Sequence, residues 1–571
     1  MIDWLEVGKN GLWILGLAVA LATLSWAHFW SGRQQIRLRT VLGEFPARLS
    51  LIAAWSLTTV GAISSATSLR NALPPAALLA AVLILGAVLV RRPKSAAAPA
   101  PMPRVASRLG NRSSRLAPLR RWAAFSLRVE PCLLLAAAPL LMFPGCLTPV
   151  ILPLLILPWL GRRLILGRYT ARTLLDWPIV VLIGVLPISM RMSWDPLHSL
   201  PKLSGIALGV LAFYALVNHV LLPRQVWIVG LGMAASGLAV SLLALVGTDW
   251  HVHWLTQKWF IPKEVYDYLP RLITGVAGSS AESGFHPNQV GAALCLFIPF
   301  TAAQLLLALP RHSRLHSPGD DHAHAHSETA GVRHRVLRGL LAVALTIMCF
   351  TALLTGARSA LLGVGAGLLT VAWFRGRWFL GLMLLLGLLA CGLLGHYVGS
   401  ERLIGEGLAP SLAREIGWRL EIWQTALSMI RDQPWTGVGL NSFPLVANVR
   451  YPLTSFTPEE VLRLTHSHNV FLQVGVDLGI PGLVAYCALL MGFGASWWLT
   501  YKHSKELRLR AASVGLLAGM IAYHFCGLFD CMTLGAKPGV AIWAILGLMA
   551  ALANLSSTDR AAPAGEEARS A

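Results

Sequence analysis

The chain has 571 residues, of which 55% are hydrophobic and 13% charged, and it carries a formal net charge of +21. Soluble domains hold about 25% charged residues, so this composition excludes an ordinary water-soluble enzyme. The basic excess also does not describe a nucleic-acid binder, because it is confined to short stretches between long apolar runs.

Those runs lie near 11–30, 50–69 and 75–90, and then near 131–144, 146–161, 177–190, 203–222, 226–247, 288–309, 339–355, 359–374, 378–397, 469–499, 511–529 and 537–554. Runs of this length suit a hydrocarbon core about 30 Å thick. A backbone with no water partners must close its own hydrogen bonds there, so each run is predicted to be a helix. The expected fold is an all-α polytopic membrane protein with about 12 core transmembrane helices, up to three N-terminal ones and a large outer loop containing amphipathic helices. The run 11–30 reads as a first membrane helix and not as a cleavable signal, since Asp3 and Glu6 precede it and it is too long. The expected divisions are 1–130 (hydrophobic segments and a basic linker), 131–397 (membrane core), 398–468 (large outer loop), 469–554 (C-terminal membrane helices) and 555–571 (tail).

Arg and Lys crowd into 31–48, 91–130, 162–172, 311–338, 375–377 and 500–510, and ten of them fall between Arg91 and Arg128. The positive-inside rule places these segments in the cytoplasm, and 91–130 reads as a flexible linker suited to resting on anionic lipid. Basic flanks on both sides of 131–161 imply two short crossings, or a re-entrant hairpin, turning at Pro144-Gly145. Segments 191–202, 248–287 and 398–468 then face outward, with the N-terminus outside and the C-terminus inside. The last segment holds six Arg against seven Asp and Glu, a balance unlike that of the cytoplasmic loops.

The outward ends carry the residues that call for explanation. Arg358, in Thr355-Gly356-Ala357-Arg358-Ser359-Ala360, stands between two apolar runs. It is either a snorkelling anchor or a functional cation, and Gly356 beside it permits close backbone approach. In 411–434, Leu412, Ile416, Leu420, Trp423, Leu427 and Ile430 form one apolar stripe of a helix that Pro434 ends. Arg419 and Glu421 project off that stripe, and for Glu421 a solvated face is the simpler account. His466 and His468 stand with Asn469 where the long outer loop re-enters the membrane, followed by Gly479 and Gly482. Imidazole can take a proton from a hydroxyl near neutral pH. His286-Pro287-Asn288 either caps the next helix or lines a site.

The eight cysteines form no CxxC pair and read as small buried hydrophobes. The alternating His322, His324 and His326 lie in a Gly-, Ser- and His-rich loop with no rigid scaffold, which gives adventitious metal binding at most. No phosphate loop, dinucleotide fingerprint, serine elbow or paired acidic metal site is present, so no cofactor and no metal are expected.

The string 466–482, HSHNVFLQVGVDLGIPG, resembles the signature of the O-antigen ligase and polymerase family: His-Asn, nine residues, then Gly-x-x-Gly. The run 419–443 is similar to that family's Arg-led helix followed by Pro and a Gly-rich turn, 355–363 to its Arg-bearing helix end, and 284–296 to its Pro-Asn helix start. The resemblance covers about 131–554. It implies a metal-independent, inverting glycosyltransferase of the bacterial inner membrane, multi-pass, with its site facing the periplasm. The donor it implies is an undecaprenyl diphosphate-linked glycan. The acceptor is a sugar hydroxyl of lipid A-core for a ligase, or another carrier-linked repeat for a polymerase; protein acceptors are also known among proteins of this architecture. Without a metal, Arg guanidinium must hold the diphosphate, which falls to Arg358 and Arg419. His468 is then the base, Asn469 an orienting group and His466 an alternative base, with His286, Asn288 and Glu421 as possible lining residues. A transporter is the alternative of another class. It would show repeat halves with broken helices, and no such symmetry is visible.

Overall fold

The computed structural model describes residues 14, 18–26, 117–142, 148–248, 250, 263–269, 285–308, 321–398 and 408–559. The expected runs at 50–69 and 75–90, most of the N-terminal basic linker and the C-terminal tail lie outside these residues. The described residues are helical and contain no strand, apart from an isolated bridge between Thr248 and Phe285. In chain order the helices are α1 (Ala117–Met142), α2 (Thr148–Leu166), α3 (Asp176–Met192), α4 (Pro196–His219), α5 (Pro223–Gly247), α6 (Lys263–Asp267), α7 (Pro287–Ala303), α8 (Asp321–Leu354), α9 (Arg358–Arg375), α10 (Arg377–Val398), α11 (Leu408–Asp432), α12 (Phe443–Arg450), α13 (Pro458–Arg463), α14 (Val470–His503), α15 (Leu507–Gly527) and α16 (Val540–Asp559). Among the described residues, seven helices are long and apolar enough to cross a membrane: α4, α5, α7 with its π-helical extension to Ala308, the Val332–Leu354 part of α8, α14, α15 and α16. The protein is an all-α polytopic membrane protein.

Three expectations change in detail. The basic linker is helical from Ala117, where α1 starts. The histidine run lies on the first turns of α8 and not in a loop. The outward segment 191–202 is mostly helix, because Pro196 opens α4; a proline is well placed in a first turn, where its missing N–H has no helical partner to lose.

Two compact units emerge. The first comprises Met1–His219, Met429–Ser442 and Val474–Ser496. In it α1 and α2 approach closely at Gly161, where a Cβ would lie 2.5 Å from Ser126 Oγ. Glu130 of α1 is shared by Arg162 of α2 at 2.6 Å and His219 of α4 at 2.7 Å. This unit also explains the Gly479-Ile480-Pro481-Gly482 motif. Pro481 has no N–H to donate to the carbonyl of Asp477 one turn back, and that carbonyl accepts from Ser189 Oγ at 2.6 Å instead. Gly479 adopts φ 67°, ψ −172° and breaks the helical path. The freed groups exchange bonds with the turn after α11: Ile480 N donates to Pro434 O at 2.7 Å and Val438 N to Val476 O at 2.9 Å. A side chain at Gly479 would strike Pro434 O at 2.7 Å, so both the left-handed backbone and the close approach require glycine.

The second unit comprises Val220–Ser428, Phe443–Gln473 and Trp497–Ala571. Its centre is α7, α9 and α15, joined through small residues. Added Cβ atoms would meet Ala522 O at 2.4 Å from Gly363, Pro299 Cγ at 2.5 Å from Gly367, and Leu296 O at 2.6 Å from Gly519. In lipid, where burial from water drives little, such backbone proximity is what holds helices together. Elsewhere in this unit Arg508 approaches His334 at 3.5 Å and lies 5.2 Å over the Trp227 ring, and Arg510 lies 4.6 Å over Tyr501. Helix α9 runs from Arg358 to Arg375, a span of about 27 Å at 1.5 Å per residue.

Candidate active site

The second unit gathers most of the singled-out residues. Arg358 is the first residue of α9. It is set there by a tight turn in which Gly356 takes φ 57° and the Thr355 hydroxyl donates to Ala352 O at 2.7 Å and accepts from Ala357 N at 3.3 Å. The sequence pointed to close backbone approach at Gly356; the structure shows that the positive φ is what demands glycine. A helix N-terminus carries partial positive charge, so structural convenience would favour an acid in that first turn. The sequence supplies an arginine and no acid.

Glu415, on α11, offsets that charge. Its Oε2 lies 3.2 Å from Arg358 Nη1 and its Oε1 accepts from Arg419 Nη2 at 2.7 Å. Arg419, one turn after Glu415, also donates through Nη1 to Phe529 O at 2.5 Å and lies 5.1 Å over the Trp418 ring. The Trp418 ring is in turn 5.2 Å from that of His468, edge to face. One carboxylate thus joins two guanidiniums carried by separate helices, and an indole spaces one of them from an imidazole.

The His466–Asn469 segment is ordered by its own polar groups. Asn469 caps α14, its Oδ1 accepting from Phe471 N at 3.0 Å and Leu472 N at 3.1 Å, while its Nδ2 donates to Leu528 O at 3.2 Å. Ser467 N donates to Gln473 Oε1 at 2.7 Å. His468 takes the left-handed conformation, φ 52°, which costs a residue bearing a Cβ on the order of 1 kcal/mol. Asp530, just past α15, lies 3.4 Å from His468 Nδ1 and 3.5 Å from His466 Nε2, and it accepts from Cys531 N at 2.8 Å. Burial alone would raise the Asp530 pKa, but the His468 ring and the charges of His466 and His468 outweigh it and hold the carboxyl well below the usual range. Strain at a non-glycine residue beside a buried carboxylate is the kind of arrangement that active sites retain.

The ligand atoms of His466, His468 and Asp530 lie within 4.8 Å of one another, close enough to consider a metal. His466 Nδ1 accepts from His468 N at 3.2 Å, which leaves its Nε2 facing Asp530 at 3.5 Å. The same cluster suits acid–base chemistry. With its Nδ1 toward Asp530, the neutral His468 ring keeps an Nε2 lone pair to accept a proton.

The remaining singled-out residues have other partners. Glu421, on a largely solvated stretch of α11, has defined partners. It accepts from Thr454 N, from Thr454 Oγ1 at 2.6 Å and from Ser455 N at 3.1 Å, so it ties α11 to the segment after α12. Burial would raise its pKa, and the bonds from Ser455 and Thr454 lower it overall. His286 caps α7, its Nδ1 accepting from Asn288 N at 3.3 Å. Six described cysteines are free thiols, including Cys526 and Cys531.

Two site residues escaped the sequence reading. Glu415 lies inside the amphipathic helix, four residues before Arg419, a spacing that places acid and base side by side. Asp530 is the sole acid between 507 and 558, at the end of an apolar run; an isolated acid at a membrane helix end is itself a functional signal.

Residues 341–487 match the family model described as O-Antigen ligase. A curated O-antigen ligase from Pseudomonas aeruginosa is 30% identical over 190 residues, covering 33% of this chain and 41% of that protein. The chain thus spans less than half the length of this relative. Arg358, Glu415, Arg419, Glu421, His466, His468 and Asn469 lie inside the matched region, whereas Asp530, His286 and Asn288 lie outside it. Together the two matches support the O-antigen ligase family.

Proposed function

From the family these matches support, we propose that the chain is a glycosyltransferase that moves a glycan from undecaprenyl diphosphate to a sugar hydroxyl of lipid A-core, at the periplasmic face of the bacterial inner membrane. The observation that carries this reading is the pairing of two guanidiniums, Arg358 and Arg419, with the His468–Asp530 pair across one tryptophan ring. A lipid diphosphate is a poor leaving group unless its developing charge is met. Two arginines can form forked bonds to phosphate oxygens, and at a partly desolvated interface such preorganised charge stabilises a transition state strongly.

His468 accepts the proton of the acceptor hydroxyl as the oxygen attacks the anomeric carbon. The bond from that carbon to the diphosphate breaks as the new glycosidic bond forms, which inverts the configuration. Asp530 holds the imidazole in the Nδ1–H form and balances the imidazolium that results. Asn469 fixes the start of α14, and His466 braces Asp530. The chemistry as drawn needs no metal, because the arginines supply the positive charge.

The test is to delete the gene and resolve lipopolysaccharide from carrier-linked glycan on a gel, complementing with wild type, Arg358→Ala or His468→Ala. Bare lipid A-core beside long carrier-linked chains that neither variant rescues supports the ligase reading. Single repeat units still reaching the core identify a polymerase instead. Unchanged glycans, or full rescue by both variants, would sink the assignment.

A further inference from the structure

We propose that Glu415 is an internal stand-in for the substrate's diphosphate: a carboxylate that occupies Arg358 and Arg419 while the site is empty and competes with the diphosphate for them. This rests on the reading that these arginines bind the donor diphosphate.

Each Glu415 oxygen serves a different arginine, Oε2 at 3.2 Å from Arg358 and Oε1 at 2.7 Å from Arg419. That is the bridging arrangement a diphosphate would need to adopt. The carboxylate is too small to satisfy what it bridges. Arg358 Nη1 and Arg419 Nε are shielded from solvent and make no hydrogen bond, even though the first is in ion-pair range. A guanidinium presents five donors in a fixed fork, and a diphosphate offers more oxygens over a wider spread than a carboxylate does.

Exposure decides between a lock and an exchangeable contact. The Glu415 side chain is 29% exposed and that of Arg358 33%. Water can therefore solvate the carboxylate as it leaves, which keeps displacement inexpensive. The exchange has two consequences. In the empty state Glu415 keeps two like charges apart from one another's repulsion and holds both guanidiniums near their working positions. After transfer, the returning carboxylate competes with the diphosphate product and speeds its departure. Glu415 is thus a positioning residue, acting through the arginines. Its loss should tighten diphosphate binding, a change that mere structural damage does not produce.

The experiment uses the full-length protein in lipid nanodiscs, with inorganic pyrophosphate as the probe in a calorimetric titration and donor kinetics measured alongside. Glu415→Gln, which keeps the side-chain shape, should bind pyrophosphate about tenfold more tightly than wild type, a size typical of coupled contacts. It should lower both the donor KM and kcat, because product is retained. Arg358→Ala should abolish the binding in either background. If Glu415→Gln folds poorly, Glu415→Asp, too short to reach both arginines, should shift affinity in the same direction. Arg358-dependent binding that is equal or weaker in the Glu415 variants overturns the stand-in role and leaves the arginine site intact. Pyrophosphate binding that ignores Arg358, or no binding at all, brings down the underlying reading with it.

Discussion

Among the described residues, Glu130 and Glu415 each join an arginine to a second basic side chain, and they sit in opposite surroundings. Glu130 joins Arg162 and His219 across three helices of the first unit, with its side chain 6% exposed and that of Arg162 8%. Glu415 joins Arg358 and Arg419 in the second unit with 29% exposure. The bridging pattern is alike, yet burial gives the two carboxylates different jobs. A charge removed from water and then deprived of its partner is very costly, so the Glu130 triad behaves as a cross-link of the fold. A triad whose carboxylate is 29% exposed can exchange one partner for another at lower cost, which makes it usable by a ligand.

The largest expected effect falls on the buried triad. Glu130→Ala leaves Arg162 with an uncompensated buried charge and should destabilise the protein by about 3–5 kcal/mol, read as a drop in thermal unfolding temperature in detergent. Transfer per folded molecule should be unchanged. An unfolding temperature equal to that of wild type would erase the contrast between the two triads. Arg358→Ala is the converse case. It should lower the transfer rate by about 10²–10³-fold, as removal of a preorganised charge stabiliser does, while the unfolding temperature stays near wild type. A parallel loss of both would make Arg358 a structural anchor.

Asp530 stands between these extremes, buried like Glu130 but placed at the site like Glu415. Asp530→Asn should cost about tenfold in transfer, equivalent to about 1.4 kcal/mol, by loosening the His468 tautomer. Its pH dependence follows from the depressed carboxyl. A carboxyl that titrates lower in the folded than in the unfolded state stabilises the fold fully above the ordinary aspartate value of about 3.9, and that contribution fades as pH falls through the folded value. The stability gap between wild type and Asp530→Asn should therefore be present at about pH 5 and close below about pH 4, measured by chemical unfolding. A gap that widens on acidification would contradict the assigned ionisation.

What the sequence shows of these regions depends on how local the cause is. Arg358, His468 and Asn469 stand out because polar residues at the ends of long apolar runs need a reason to be there, whereas Arg419, inside an amphipathic helix, stands out only through the family resemblance. The helix of 411–434 and its end at Pro434 followed from apolar spacing and one proline, and the structure places α11 at Leu408–Asp432. Glu421 was harder, since nothing near it in sequence announces Thr454 and Ser455. The Gly479 break was visible only as a pair of glycines. Its meaning lies in the bonds to Pro434 and Val438, about forty residues away, a distance over which neither periodicity nor propensity carries information. Glu415 is one acid among several charges on an amphipathic helix, and Asp530 takes its meaning from His466 and His468, about sixty residues earlier in the chain.

The smallest effect is also the sharpest check on the comparison. Glu415→Gln keeps the volume of the side chain and one acceptor oxygen for Arg419, and it removes only a charge that water already screens in part. Solvent-exposed ion pairs contribute about 0–1 kcal/mol, and the removed attraction is further offset by the solvation that Arg358 regains. The unfolding free energy should therefore change by less than about 1 kcal/mol, in either direction, whereas Glu130→Gln should lose a large part of what Glu130→Ala loses. Measured side by side under one detergent condition, the two Gln substitutions remove the same charge from the same kind of triad. A large loss at Glu415 would mean that its arginines are held as rigidly as Arg162, and a carboxylate so fixed could not give way to a diphosphate.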